Sequence, residues 1–248
     1  NGFDPTLRLQ EEGAFDADER AACIEEIRAF LITLPEAPFV VIKDPRITLL
    51  SGMWFEAADK AGFDVATVVA VRHPAEVIAS VAKRSAALPE VSNALWLKGN
   101  LLAEADTRDV PRVFVEYANL LEDWRREMKR ISLALGLNLD TRAEEEIEEF
   151  LKPSLHHQRH NGEVADLFGS DWISTVYDVL TRAARDEPLD QSALDRVFDG
   201  YRASERDFRA VFEGFQRLDK MNRYFRPSVM KMLYEVRAIA NRRRGTWA

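Results

Sequence analysis

Arg72, Ser80 and Arg84 have the residue types and spacing best suited to chemistry on an anion. Ser80 follows Arg72 with seven residues between them, and Arg84 lies four further on. In a helix, Ser80 and Arg84 are i,i+4 neighbours. At about 100° per residue, Arg84 also falls close to the face carrying Val77, Ile78 and Val81. One hydroxyl and two guanidinium groups would then converge near a strand end. That set suits a phosphate, because arginine offers forked, charge-assisted donors and serine adds another. Each residue alone has an ordinary explanation. Arg72 can pair with Glu76, Ser80 can bond back to a helix carbonyl, and Arg84 can lay its stem over apolar surface. Their shared register is what points to an anion.

The elements that would position them read as strand-helix units. "TVVAV" is β-branched and apolar, ends in Arg72, and is followed by Pro74 at the first turn of a helix reaching about Ala86. "PFVVIK" repeats the pattern: it ends in Lys43, with Asp44 as an N-cap, Pro45 in the first turn and a helix stopping at Gly62. "RVFVEY" (112–117) is a third strand, and 119–135 the helix after it, stopped at Gly136. Two further helices are expected over 16–33 and 92–105. Strands alternating with helices imply a parallel sheet, whose ligands sit beyond the carboxyl ends of the strands. Lys43, Arg72 and Tyr117 all fall at such ends, so the three are expected on one sheet edge. Beyond 140 the pattern is helical, with an acidic helix in "TRAEEEIEEFLKP" (141–153) and a polar, His-rich loop, "SLHHQRHNGE".

Composition bounds the function. The chain has 248 residues and a formal net charge of −8, which argues against non-specific nucleic-acid or anionic-membrane binding. A single cysteine, Cys23, forms no internal disulfide, so a reducing, cytoplasmic setting is expected. No run approaches the ~20 apolar residues of a membrane span.

The arrangement Arg72-x7-Ser80 with Arg84 resembles the 3′-phosphate-binding segment of sulfotransferases that use 3′-phosphoadenosine 5′-phosphosulfate (PAPS). "KDPR" looks like the lysine-bearing strand end of the tyrosylprotein-type and bacterial members. "VFVEYANLLEDW" is similar to their next strand-helix unit, and "SLHHQRHN" to a His/Arg segment after the core. The likeness covers about residues 35–162. It implies a fold of α/β class: a three-layer α/β/α parallel sheet of P-loop nucleotide-binding type with an all-helical C-terminal extension. The core would take 1–165 and the helical region 166–248. It also implies that Arg72, Ser80 and Arg84 hold the 3′-phosphate, with Tyr117 supporting the nucleotide and Arg159 adding an anion contact. Lys43 would stabilise charge on the transferring sulfonate. The acceptor would be a hydroxyl or amine on a small molecule, glycan or peptide. In the family, a glycine-containing loop cradles the 5′-phosphosulfate. The eleven glycines here form no such loop, so an N-terminally incomplete core is expected.

Two rivals stay open: a P-loop-type small-molecule or nucleoside kinase, and a non-catalytic module that binds 3′-phosphoadenosine 5′-phosphate (PAP). His156, His157 and His160 lack a clear fourth ligand, so no metal is expected. Glu116 reads as a solvated strand end that could also approach an acceptor. Trp54, Trp96 and Trp124 read as core, and Trp172 as packing the helical region.

Overall fold

The computed structural model describes residues 16–83, 89–139, 144–151, 164–166 and 170–204. Arg84, Arg159 and the three loop histidines lie outside them. The chain forms two compact units, Asn1–Gly200 and Tyr201–Ala248. Of the second, residues 201–204 are described, and they are helical.

The first unit is mostly helical, with a small parallel sheet. Helix α1 (Ala17–Leu31) starts where Asp16 accepts from the backbone amides of Asp18 and Glu19. A 3₁₀ turn (Ile47–Leu49) leads into α2 (Ser51–Lys60). Gly62 then reverses the chain at φ 81°, a left-handed conformation natural to glycine. Ile24, Ile27 and Leu31 of α1 pack with Met53 and Ala57 of α2 in a core of their own.

Strand β1 (Thr67–Val71) pairs in parallel with β2 (Arg112–Glu116), Val71 opposite Glu116. The crossover between them carries α3 (Pro74–Ala82) and α4 (Pro89–Asp106). After β2 the expected single helix is two: α5 (Tyr117–Glu122) and α6 (Trp124–Leu135). The break is Asp123, extended at φ −151°, whose carboxylate accepts from the Arg126 amide and so starts a new helix. Gly136 ends α6 in the left-handed region, as its position foretells. Then come α7 (Glu144–Phe150), α8 (Trp172–Ala183) and α9, over 191–200.

Among the described residues the sheet has two strands, and no three-layer sandwich is formed. The expected strand at 38–43 is coil, with a bend at Pro38. The difference is physical: a strand needs a neighbour for its amides and carbonyls, Pro38 brings no donor, and Asp44 draws the chain into a turn. Asp44 Oδ1 accepts from the Arg46 amide at 2.9 Å, and the Arg46 guanidinium holds the Asp44 carboxyl down to about 2. Val41 is consequently 80% exposed.

Strand β1, though apolar from Val68 to Val71, is buried on one face only. Val69 and Val71 are buried, while Val68 and Ala70 face solvent. Strand β2 is buried from Val113 to Glu116, with Val113 and Val115 packed on Ile131 of α6. So small a sheet depends on its covering helices. Helix α4 supplies much of that cover. Its Trp96 donates through Nε1 to the Arg72 carbonyl at 2.9 Å, beyond the end of β1. Its Glu104 carbonyl accepts from Arg112, at the start of β2. The helix therefore runs antiparallel to the strands. Trp96 and Trp124 are buried and Trp54 packs against the α1–α2 core, as expected. Among the described residues, no helix is long and apolar enough to cross a membrane.

Candidate functional site

Register brings the site together. Because Val71 stands opposite Glu116, the next residues, Arg72 and Tyr117, emerge side by side at the carboxyl end of the sheet. The Arg72 guanidinium lies over the Tyr117 ring, 4.4 Å from its centroid. That stacking suits a planar, weakly hydrated cation. Arg72 Nε also donates to Glu76 Oε2 at 2.8 Å, so the helical ion pair open to the sequence is formed.

His73 follows, buried, and caps α3. Its Nδ1 accepts from the Ala75 amide at 3.2 Å, ahead of Pro74 at the first helical position. The His73 ring meets Tyr177 of α8 edge-on at 5.0 Å, and Trp96 meets the same tyrosine at 6.3 Å. Tyr177 donates its hydroxyl to Glu116 Oε1 at 3.0 Å. Burial, reinforced by the Glu116 charge, pushes that hydroxyl well above the ordinary phenol range. The other Glu116 oxygen stands 3.8 Å from an Arg185 guanidinium nitrogen. Glu116 is 7% exposed, so it is not the solvated strand end its sequence position implies. It is buried because α8 packs over β2.

The structure thus unites Arg72 and Tyr117 and adds His73, Glu76, Glu116, Tyr177 and Arg185. The expectation of three strand-borne residues on one edge is corrected. Arg72 follows β1, Tyr117 opens α5, and Lys43 belongs to no strand but to the exposed coil before α2. Ser80 is on α3, six residues past its first and so about 9 Å along the axis. Val77, Ile78 and Val81, the apolar face read for this helix, are only half-buried; Pro74 and Glu76 are the buried residues of α3.

Two signals could have revealed the missed residues. His73 precedes a proline that opens a helix, which is the capping position. Tyr177 adjoins the apolar stripe of Ile173, Val176 and Leu180, where a ring can bury while its hydroxyl seeks a partner. Among the described residues, no three His, Cys, Asp or Glu side chains gather to hold a metal ion. In comparison with known proteins, no family model matches the chain, and neither a curated protein nor a solved structure matches it.

Proposed function

We propose that the chain serves a PAPS-dependent sulfotransferase, with the carboxyl ends of β1 and β2 receiving the nucleotide. One observation carries the reading: Arg72 and Tyr117, assigned to the nucleotide by resemblance, stack at the end of a parallel strand pair. A stacked guanidinium keeps its N–H edge in a fixed plane, the arrangement that favours forked bonding to phosphate. Ser80 and Arg84 join Arg72 at the 3′-phosphate, and Arg159 adds a further cation. The wider three-layer sheet belongs to the same proposal. Sulfonate transfer is an in-line displacement like phosphoryl transfer. The acceptor's hydroxyl or amine attacks sulfur, and the bond from sulfur to the 5′-phosphate oxygen breaks. PAP leaves with the electron pair, and the acceptor loses its proton. Lys43 is the cation for the developing charge.

The exposed coil position of Lys43 favours a second reading, a PAP-binding module without turnover. Calorimetric titration separates the possibilities. PAP should bind, and Arg72→Ala should weaken it about 10- to 100-fold, the worth of a charged hydrogen bond. Adenosine 5′-phosphosulfate, which lacks the 3′-phosphate, should be little affected. Equal losses for both ligands, or no PAP binding, would refute the assignment. PAP binding without release of PAP from PAPS over an acceptor panel would establish the module instead.

A further inference from the structure

Beside the strand ends, α8 borders an open groove of about 500 Å³, lined by Val164, Ser174, Tyr177, Asp178, Thr181 and Arg185. Its size falls within the ~300–1,000 Å³ of small-molecule sites. The hydrogen bonds of the lining say what it can recognise. Tyr177 gives its proton to Glu116. Thr181 gives its proton to backbone carbonyls one turn back, at 2.8 and 3.0 Å. The Ser174 hydroxyl sits 2.5 Å from Asp166 Oδ2, whose carboxylate caps the start of α8. All three hydroxyl protons are committed.

Two lining groups are not. Asp178 is exposed and its carboxylate makes no hydrogen bond or ion pair among the described residues, with the Arg182 cation one turn on attracting it only at longer range. Arg185 has a side chain 60% exposed and one acidic neighbour, Glu116, at 3.8 Å. That separation is too long for a hydrogen bond, so its donors remain available. The discriminating chemistry of the groove is therefore one anionic and one cationic group on the same stretch of α8 and its following turn.

We propose that the groove binds a small zwitterion, with its acidic group on Arg185 and its ammonium on Asp178. An arginine fork suits a phosphate or carboxylate, and an aspartate suits an ammonium. The groove adjoins the strand ends through Tyr177 and Glu116. On the sulfotransferase reading, and resting on it for this part alone, the zwitterion is the acceptor, attacking through a hydroxyl or second amine other than the ammonium held by Asp178.

The test is calorimetric titration of the whole chain with phosphoethanolamine, and with inorganic phosphate and ethanolamine as its two halves. Phosphoethanolamine should bind at least tenfold more tightly than either half. Arg185→Gln should weaken phosphoethanolamine and phosphate at least tenfold, with Arg185→Lys intermediate. Asp178→Asn should weaken phosphoethanolamine at least fivefold and leave phosphate unchanged. Both positions are exposed, so these variants should fold. Arg72→Ala should leave phosphoethanolamine binding intact. Absence of binding, equal affinity for the three probes, or a response to Arg72→Ala in place of Arg185→Gln would overturn the groove assignment. Zwitterion binding with this pattern in a chain that does not bind PAP would uphold the groove and refute the sulfotransferase reading. PAP binding without zwitterion binding would refute the groove assignment and leave the nucleotide site standing.

Discussion

Replacing Tyr177 with phenylalanine isolates one oxygen at the centre of the site. The ring contacts with His73 and Trp96 are retained, and what is lost is the donor to Glu116 at 3.0 Å. A hydrogen bond to a charged group contributes about 1.5–3 kcal/mol. The Arg185 guanidinium, 3.8 Å from the other carboxylate oxygen, can close in and recover part of this. The expected destabilisation is therefore in the lower half of that range, about 1.5–2 kcal/mol. Urea unfolding followed by tryptophan fluorescence should show it as a lower midpoint at unchanged slope, with Trp96 a reporter 6.3 Å from the ring. Alkaline pH sharpens the test. The Tyr177 hydroxyl binds its proton more tightly in the folded than in the unfolded chain. Its stabilisation is fully present below the unfolded value, about pH 10, and is lost as pH rises above it. The gap between wild type and Tyr177→Phe should accordingly narrow above about pH 10. A difference below about 0.5 kcal/mol near neutral pH, well under the charged-bond range, would refute the reasoning. So would a gap that stays constant into alkali.

Two further perturbations test what holds the site's frame. Glu104, 1% exposed, accepts from Arg108 and Arg112, and Arg108 also reaches Asp195 at 2.6 Å. Glu104→Ala should cost about 3–5 kcal/mol by denaturant unfolding, and Glu104→Ala with Arg108→Ala clearly less than the sum of the singles. Gly200→Ala would place a Cβ 2.8 Å from Trp172 Cζ2. It should lower stability by about 1–3 kcal/mol in the same assay.

Local chemistry made some of the architecture readable. Asp16, Gly62 and Gly136 mark helix ends because caps and left-handed turns are decided within a few residues. Pro74 marks the start of α3 for the same reason. The failures are non-local. "PFVVIK" and "TVVAV" are alike in composition, yet only the second is a strand, because pairing depends on a neighbour distant in sequence. The split between α5 and α6 is encoded locally by the Asp123 cap, which an otherwise helical pattern conceals. At the site, Arg72 and Tyr117 were reachable because parallel register carries equivalent strand ends to one edge. The Tyr177–Glu116 bond was not, since it joins residues 61 apart.

The coil before α2 has one more consequence. Residues 39–42 are four consecutive apolar, mostly β-branched side chains in coil and open to solvent. Such a stretch is a template for intermolecular cross-β stacking. Its flanks oppose that outcome. Pro38 interrupts hydrogen bonding on one side, and Lys43, Asp44 and Arg46 bring charge on the other. These residues act as gatekeepers, limiting the exposed run to a length below the six or seven residues of a steric zipper.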